Sequence, residues 1–347
     1  MKAITPIARC LWICCVLIVP LAGCARGVAV PAATASPIAS RKLPLIGVSL
    51  PDVASTDVTL IQKGLADNQR KNDVSLLYRS ADGKAEKQVS DIAGLVRLDI
   101  VGLIVLPVDA AVIAPAIEAA RQKGIPVLAI DTPPTGGMID SLVRPDYRAN
   151  GREAAKYSTE TSTAKGATLI LAANDARGED FTAGAQEGLA KATAPVQTIA
   201  IGDTTEIAGV VLAAVRDRNV RTILAGDDTL ALAAAGALKG AGLLTGVEIV
   251  GHGGTRDAIR AVLEGTLAGD VDLRLQDLGV AAVGGIAALA RKKQPSSDVI
   301  VRIDGVDVPV NAVAGRLINR DNARDMQERW PDLMYAAAVT PTPTHTP

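Results

Sequence analysis

Thiols and imidazoles carry most nucleophilic and metal chemistry, and this chain holds few of either. Of its 347 residues four are Cys, at positions 10, 14, 15 and 24, and two are His, at 252 and 345. Cys/His catalysis needs a thiol with a base beside it, and a zinc site needs three or four such ligands. His252 is the one imidazole of the body, so neither constellation can be assembled. The run Gly251-His252-Gly253-Gly254-Thr255 has the wrong spacing for a phosphate-cradling loop and lacks its Lys. A Ser/His pair would have to use His252, and no nucleophile-elbow motif accompanies it. These residues point away from an enzyme and from any cofactor or metal. What remains is the chemistry of carboxylates, guanidinium groups and hydroxyls, which suits the capture of a polar solute.

The two ends say where that capture takes place. Lys2 and Arg9 precede or flank an apolar run at residues 11–21, which stops at Leu21-Ala22-Gly23-Cys24. This is the form of a signal peptide over residues 1–23, too short for a spanning helix of about 20 residues. Leu-Ala-Gly-Cys resembles the bacterial lipobox, which makes Cys24 the expected lipidation site; an ordinary signal with a chance cysteine is the alternative. Cleavage would leave Cys24 alone, so no disulfide framework is possible. Residues 24–42, rich in Ala, Pro and Ser, read as a disordered tether. Residues 340–347 alternate Thr and Pro and read as a disordered tail. The expected place is the periplasmic or cell-surface side of a membrane, held by lipid. The 36 basic and 37 acidic residues nearly cancel, which gives no electrostatic footprint for nucleic acid.

The body between these ends must position the binding groups. Short apolar runs alternate with segments of helical period, the pattern of repeated βαβ units. Strands are expected at 45–50, 74–78, 101–106 and 126–130, then at 141–143, 167–172, 198–201, 222–225 and 248–250. Between them Val58, Ile61 and Leu65 share one helix face, as do Val89, Ile92 and Val96, and Ile207, Val211, Ala214 and Val215. A helix is expected at 183–192, which leaves Arg177 in a loop. The fold class is α/β with parallel central sheets, in two Rossmann-like halves.

The order of motifs resembles the type I periplasmic sugar-binding proteins, the ribose-binding group, over about residues 44–320. Ile46-Gly47-Val48, Leu106-Pro107-Val108-Asp109 and Gly124-Ile125-Pro126-Val127 running to Ile130-Asp131 carry the first half. Ala225-Gly226-Asp227-Asp228, Val250-Gly251-His252, Val308-Pro309-Val310 and Ile318-Asn319-Arg320-Asp321-Asn322 carry the rest. The resemblance implies two lobes hinged by three crossovers, with the ligand between them. It places residues 43–146 and about 276–298 in the N-terminal lobe, and 147–275 and about 299–322 in the C-terminal lobe. Ligands of open α/β sheets lie beyond the carboxyl ends of the strands, so the loops after strands should hold the site.

The resemblance also nominates residues, and several depart from the family's pattern. The aromatic run after strand one is replaced by Ser55-Thr56-Asp57-Val58. An Asp-Arg pair becomes Asp131-Thr132, keeping the carboxylate and losing the guanidinium. An amide becomes Asp227, a carboxylate becomes Gly253 beside His252, and a hinge glutamine falls at Leu273 between Asp272 and Arg274. Arg177 lies near an arginine of the second lobe. The expected ligand-binding set is Asp52, Ser55, Asp57, Asp131, Thr132, Arg177, Asp227, His252, Asp272 and Arg274. Each has a plainer role open to it. Asp131 can close a turn, Asp227 and Asp228 can cap a helix, and His252 can be a hydrogen-bonded loop residue. An acidic cleft poor in aromatics suits a polyol, a small sugar derivative or a cationic solute. The function implied is delivery of that solute to an ABC transporter permease by a monomeric lipoprotein. A lipoprotein that senses for a membrane receptor or kinase, and a member kept only for protein interaction, are the alternatives.

Overall fold

The computed structural model describes residues 42–161 and 165–333. The signal segment, Cys24, the tether up to residue 41 and the tail at 340–347 lie outside the described residues.

Strand β1 (Leu45–Leu50) opens the chain, followed by α1 (Thr56–Asn68), β2 (Ser75–Ser80), α2 (Ala85–Val96) and β3 (Gly102–Val105). Then come α3 (Ala114–Gln122), β4 (Val127–Ile130) and β5 (Ser141–Pro145). β3 and β4 are buried along their whole length, as near-continuous apolar strands covered on both faces should be. A second series follows: α4 (Tyr147–Thr161), β6 (Ala167–Ala173), α5 (Ala176–Gly188), β7 (Val196–Ile201) and α6 (Ile207–Asp217). It continues with β8 (Val220–Ala225), α7 (Asp228–Gly240), β9 (Glu248–Gly253), α8 (Arg256–Glu264) and β10 (Gly269–Asp272). The last elements are α9 (Leu275–Ala290), β11 (Val299–Ile303), β12 (Val306–Val313) and β13 (Arg316–Ile318).

These strands form two sheets. One has seven strands in the order β11-β12-β5-β4-β3-β1-β2, the other six in the order β13-β10-β9-β8-β6-β7. Neighbours run parallel except at two edges, β11 on β12 and β13 on β10. The chain passes between the sheets after β5, after β10 and after β12, so three crossovers join the lobes, and the described elements fall in one compact unit.

Two expectations are corrected here. Residues 299–313 do not belong to the second lobe; β11 and β12 extend the first sheet. The cause is apolar: Val308 and Val310 bury themselves with Val127, Ile139 and Leu142 in one core cluster. The helix expected at 183–192 begins at Ala176 and ends at Gly188, because the Asp175 carboxylate accepts from the Gly178 amide at 2.8 Å and starts it early. Arg177 therefore sits in the first turn of α5, not in a loop.

Each lobe holds a helix pair in backbone contact through glycine. A Cβ at Gly64 of α1 would collide with the Gln276 carbonyl of α9, and one at Gly279 of α9 with the Ile61 carbonyl. In the second lobe, a Cβ at Gly151 of α4 would meet the Phe181 carbonyl, and one at Gly184 of α5 the Arg148 carbonyl. α9, which follows the second crossover, is pressed onto α1, and α4, which follows the first, is pressed onto α5; this fixes where the crossovers deliver their side chains.

Candidate functional site

Residues that follow strands of the two sheets meet at the crossovers, in three groups. The first surrounds Asp131, after β4. Its φ is 63°, a left-handed conformation that Asp tolerates better than most side chains. Asp131 Oδ1 accepts from the Tyr147 hydroxyl at 2.7 Å, and Thr132 Oγ1 donates to Oδ2 at 3.4 Å. Tyr147 opens α4, so this bond spans the first crossover. Burial, then the Asp131 charge, push the Tyr147 hydroxyl far above its usual range, so it stays a donor. Arg177 forks onto Asp175 from Nε at 3.2 Å and Nη2 at 2.9 Å. Asp131 and Arg177 lie on different lobes, Asp131 held by Tyr147 and Arg177 by Asp175. Nearby, Arg144 of β5 reaches Asp180 of α5 at 3.0 Å, a second tie between lobes.

The second group joins Asp57, in the first turn of α1, to Asp272, at the end of β10. Between them stands Arg329, whose Nη1 donates to Asp272 Oδ1 at 2.6 Å while Nη2 lies 3.6 Å from Asp57 Oδ1. Asp272 is buried, and that burial raises its pKa against the opposing pull of Arg329. Asp57 keeps an exposed side chain; partial desolvation raises its pKa, again against Arg329. Asp52 and Ser55 form the turn before α1: Asp52 Oδ1 takes the Ala54 amide at 2.9 Å, and the Ser55 amide donates to the Asp52 carbonyl at 3.1 Å. Arg274 turns away from this group, paired with Asp277 at 2.6 Å and within 3.5 Å of the Ala314 carbonyl. It ties the second crossover to the third.

The third group is the floor of the second lobe. Asp227 Oδ1 caps α7 through the Leu230 amide at 2.8 Å. His252 is buried, and both ring nitrogens are engaged. Nδ1 lies 2.8 Å from the Gly226 carbonyl, which can only accept, so Nδ1 carries the proton. Nε2 then accepts from Asn150 Nδ2 at 3.0 Å, and Asn150 Oδ1 takes the Gly315 amide at 2.6 Å. Burial lowers the His252 pKa and keeps the ring neutral. The ring stacks on Phe181 at 5.0 Å and meets Tyr147 edge-on at 5.8 Å. His252 therefore belongs to the scaffold of the crossovers and has no nitrogen left for a solute.

Beneath it Asp228 and Asp270 form a buried carboxylate pair. Asp228 Oδ2 accepts from the Thr255 amide at 2.9 Å and Asp270 Oδ1 from the Gly254 amide at 2.8 Å. The remaining oxygens, Asp228 Oδ1 and Asp270 Oδ2, are buried without a partner. One proton shared between them satisfies both, and burial together with the Asp228 charge raises the Asp270 pKa well above the carboxylate range. The pair also explains Gly251 and Gly253, since a Cβ at either would collide with these carboxylates. A side chain at position 253 is excluded by packing.

Four residues of these groups were not singled out from sequence: Tyr147, Asn150, Asp270 and Arg329. Arg329 had a visible signal, a Trp beside it in a chain with two Trp, but it follows the last expected strand. Two surface hollows of about 370 and 410 Å³, lined by Arg121, Met138 and Asp140 and by Lys165, Arg218 and Asn219, touch none of these groups. Among the described residues no cluster of His, Cys, Asp or Glu is arranged to hold a metal, and no helix is long and apolar enough to cross a membrane.

Comparison with known proteins agrees with this fold. The family model described as periplasmic binding protein domain matches residues 46–294. The chain belongs to the type I periplasmic sugar-binding protein family. A xylitol-binding protein of Mycolicibacterium smegmatis is 27% identical over 290 residues, covering 77% of this chain and 80% of the relative. The ribose import binding protein of Bacillus subtilis is 25% identical over 234 residues, covering 65% of this chain and 75% of the relative. A periplasmic ribose ABC transporter structure from Conexibacter woesei shares the fold, with a TM-score of 0.70 at 18% identity, covering 82% of this chain and 95% of that one. The family consists of sugar-binding proteins of ABC transporters, not enzymes, and they work outside the cytoplasm.

Proposed function

We infer that this protein captures a small neutral polyol or pentose-sized sugar between its lobes and delivers it to an ABC permease, held to its membrane by lipid on Cys24. The observation that carries this reading is the matching of charge across the crossovers. Asp57 and Asp272 flank Arg329, Asp175 holds Arg177, and the Tyr147 hydroxyl donates to Asp131. A cleft of bare carboxylates would call for a cationic solute; here guanidinium groups already compensate them, so a cation has no unmatched charge to answer. Hydroxyls, which both donate to carboxylates and accept from guanidinium groups, fit such a mixed lining. The names of the xylitol-binding and ribose-binding relatives support the same class. Asp131, Thr132, Arg177, Asp57 and Asp272 are the proposed ligand contacts, with Asp52, Ser55 and Asp227 at the rim.

The test is a thermal-shift and calorimetric panel of xylitol, D-ribose, D-xylose, D-allose and myo-inositol, with a polyamine and an amino acid as contrasts. A solute at a hundred times its dissociation constant should stabilise the protein by about 2.7 kcal/mol. The expected result is a response to a member of the first five that is abolished by Asp131→Ala. A response to the polyamine alone would sink the reading.

A further inference from the structure

The chain does not end its work at β13. After Ile318 it folds back over α8, where Ala323, Met326 and Leu333 bury themselves against Ile259. The Arg320 guanidinium donates to the carbonyls of Val262 and Leu263 at 3.3 and 3.2 Å, closing the carboxyl end of α8. Beyond, Trp330 Nε1 donates to the Gly254 carbonyl at 3.1 Å, and Asp332 pairs with Arg256. Arg329 is therefore anchored on both sides along the chain. This segment lies past the residues the family model matches, which end at 294.

The Arg329 side chain is only 11% exposed, yet two of its three nitrogens have nothing to donate to. Nη1 is spent on Asp272, whereas Nε and Nη2 are buried without a hydrogen-bond acceptor. Asp57 Oδ1, at 3.6 Å, attracts Nη2 but stands beyond hydrogen-bond reach. The Trp330 ring, 5.2 Å from Cζ, holds the guanidinium and offers no oxygen. Buried guanidinium donors are normally all engaged. Two unpartnered donors beside a half-exposed carboxylate, between residues of opposite lobes, suit vicinal hydroxyls, whose oxygens would accept from the fork and whose protons would go to Asp57.

We propose that Arg329, carried into the cleft by the C-terminal segment, is a ligand-contacting residue that selects polyhydroxy solutes. This rests on the reading of the cleft as a polyol or sugar site, and the test separates the two. The full chain and its Arg329→Lys and Arg329→Ala variants are titrated calorimetrically with xylitol, D-ribose, D-xylose, D-allose and myo-inositol, and melted without ligand. Arg329→Lys keeps a positive charge against Asp272 but lacks Nε and the fork. It should melt as the parent does, bind the preferred solute at least about tenfold more weakly, and rank the five solutes differently. Arg329→Ala should lose at least as much. If both variants bind as the parent does, or if the lysine alone restores full binding and ranking, Arg329 does not contact the ligand. If the parent binds none of the five, the polyol reading falls and this inference with it.

Discussion

Asp228 and Asp270 show how a buried pair writes a pH dependence into the fold. The native pair holds a proton that the unfolded chain releases once pH passes the usual Asp value of 3.8. The folded state then binds more protons than the unfolded one, so stability falls as pH rises from that value through the raised native one. Asp270→Asn should remove this slope. Its Oδ1 still accepts from Gly254, and its Nδ2 supplies permanently the donor that the shared proton supplies now. Calorimetric melting from about pH 4 to 9 should show a declining parent curve and a flatter variant curve; parallel curves would refute the shared proton. Little of this was legible in the sequence. Asp228 reads as a helix cap, Asp270 carries no signal, and only the register of β9 against β10 brings them together. His252 escapes a sequence reading for a related reason: it lies inside β9 rather than in a loop after it, and its partners Asn150 and Gly226 arrive from distant stretches. Asp131 is nominated because it sits just beyond a recognisable strand, and Arg177 only by the resemblance.

Elements were more legible than contacts. Apolar runs located β1, β3, β4, β6 and β8 within a residue or two, because strands buried on both faces have nowhere to put polar side chains. The assignment failed where chemistry at an end overrode period, as at the Asp175 cap of α5, and where two strands were allotted to the wrong sheet. Periodicity shows which face of a helix is inward, not how near its neighbour comes. The glycine contacts between α1 and α9 could therefore not be foreseen. Gly279→Ala should drive a methyl into the Ile61 carbonyl and destabilise the first lobe by about 1–3 kcal/mol, read as a lower urea midpoint. An unchanged midpoint would show that the two helices separate freely.

At the scale of the molecule, the Arg144–Asp180 pair joins the lobes without belonging to the ligand set. Its side chains are about one-third exposed or less, so its contribution is of the order of a surface pair. Arg144→Ala should weaken binding of the preferred solute about two- to fivefold and raise the ligand-free radius of gyration in solution scattering. Unchanged scattering and affinity together would remove the pair from the closing motion. The interleaving of the two lobes has a further consequence, for the birth of the protein. The first sheet is covered on one face by Leu278, Ala282, Val283 and Ile286 of α9 and widened by β11 and β12, all of which are made after the second lobe's strands up to β10. The second sheet waits for β13. A nascent chain that has emerged as far as residue 272 thus owns nearly every strand and no finished domain. Both sheets can therefore be completed only when the last fifth of the chain has been made.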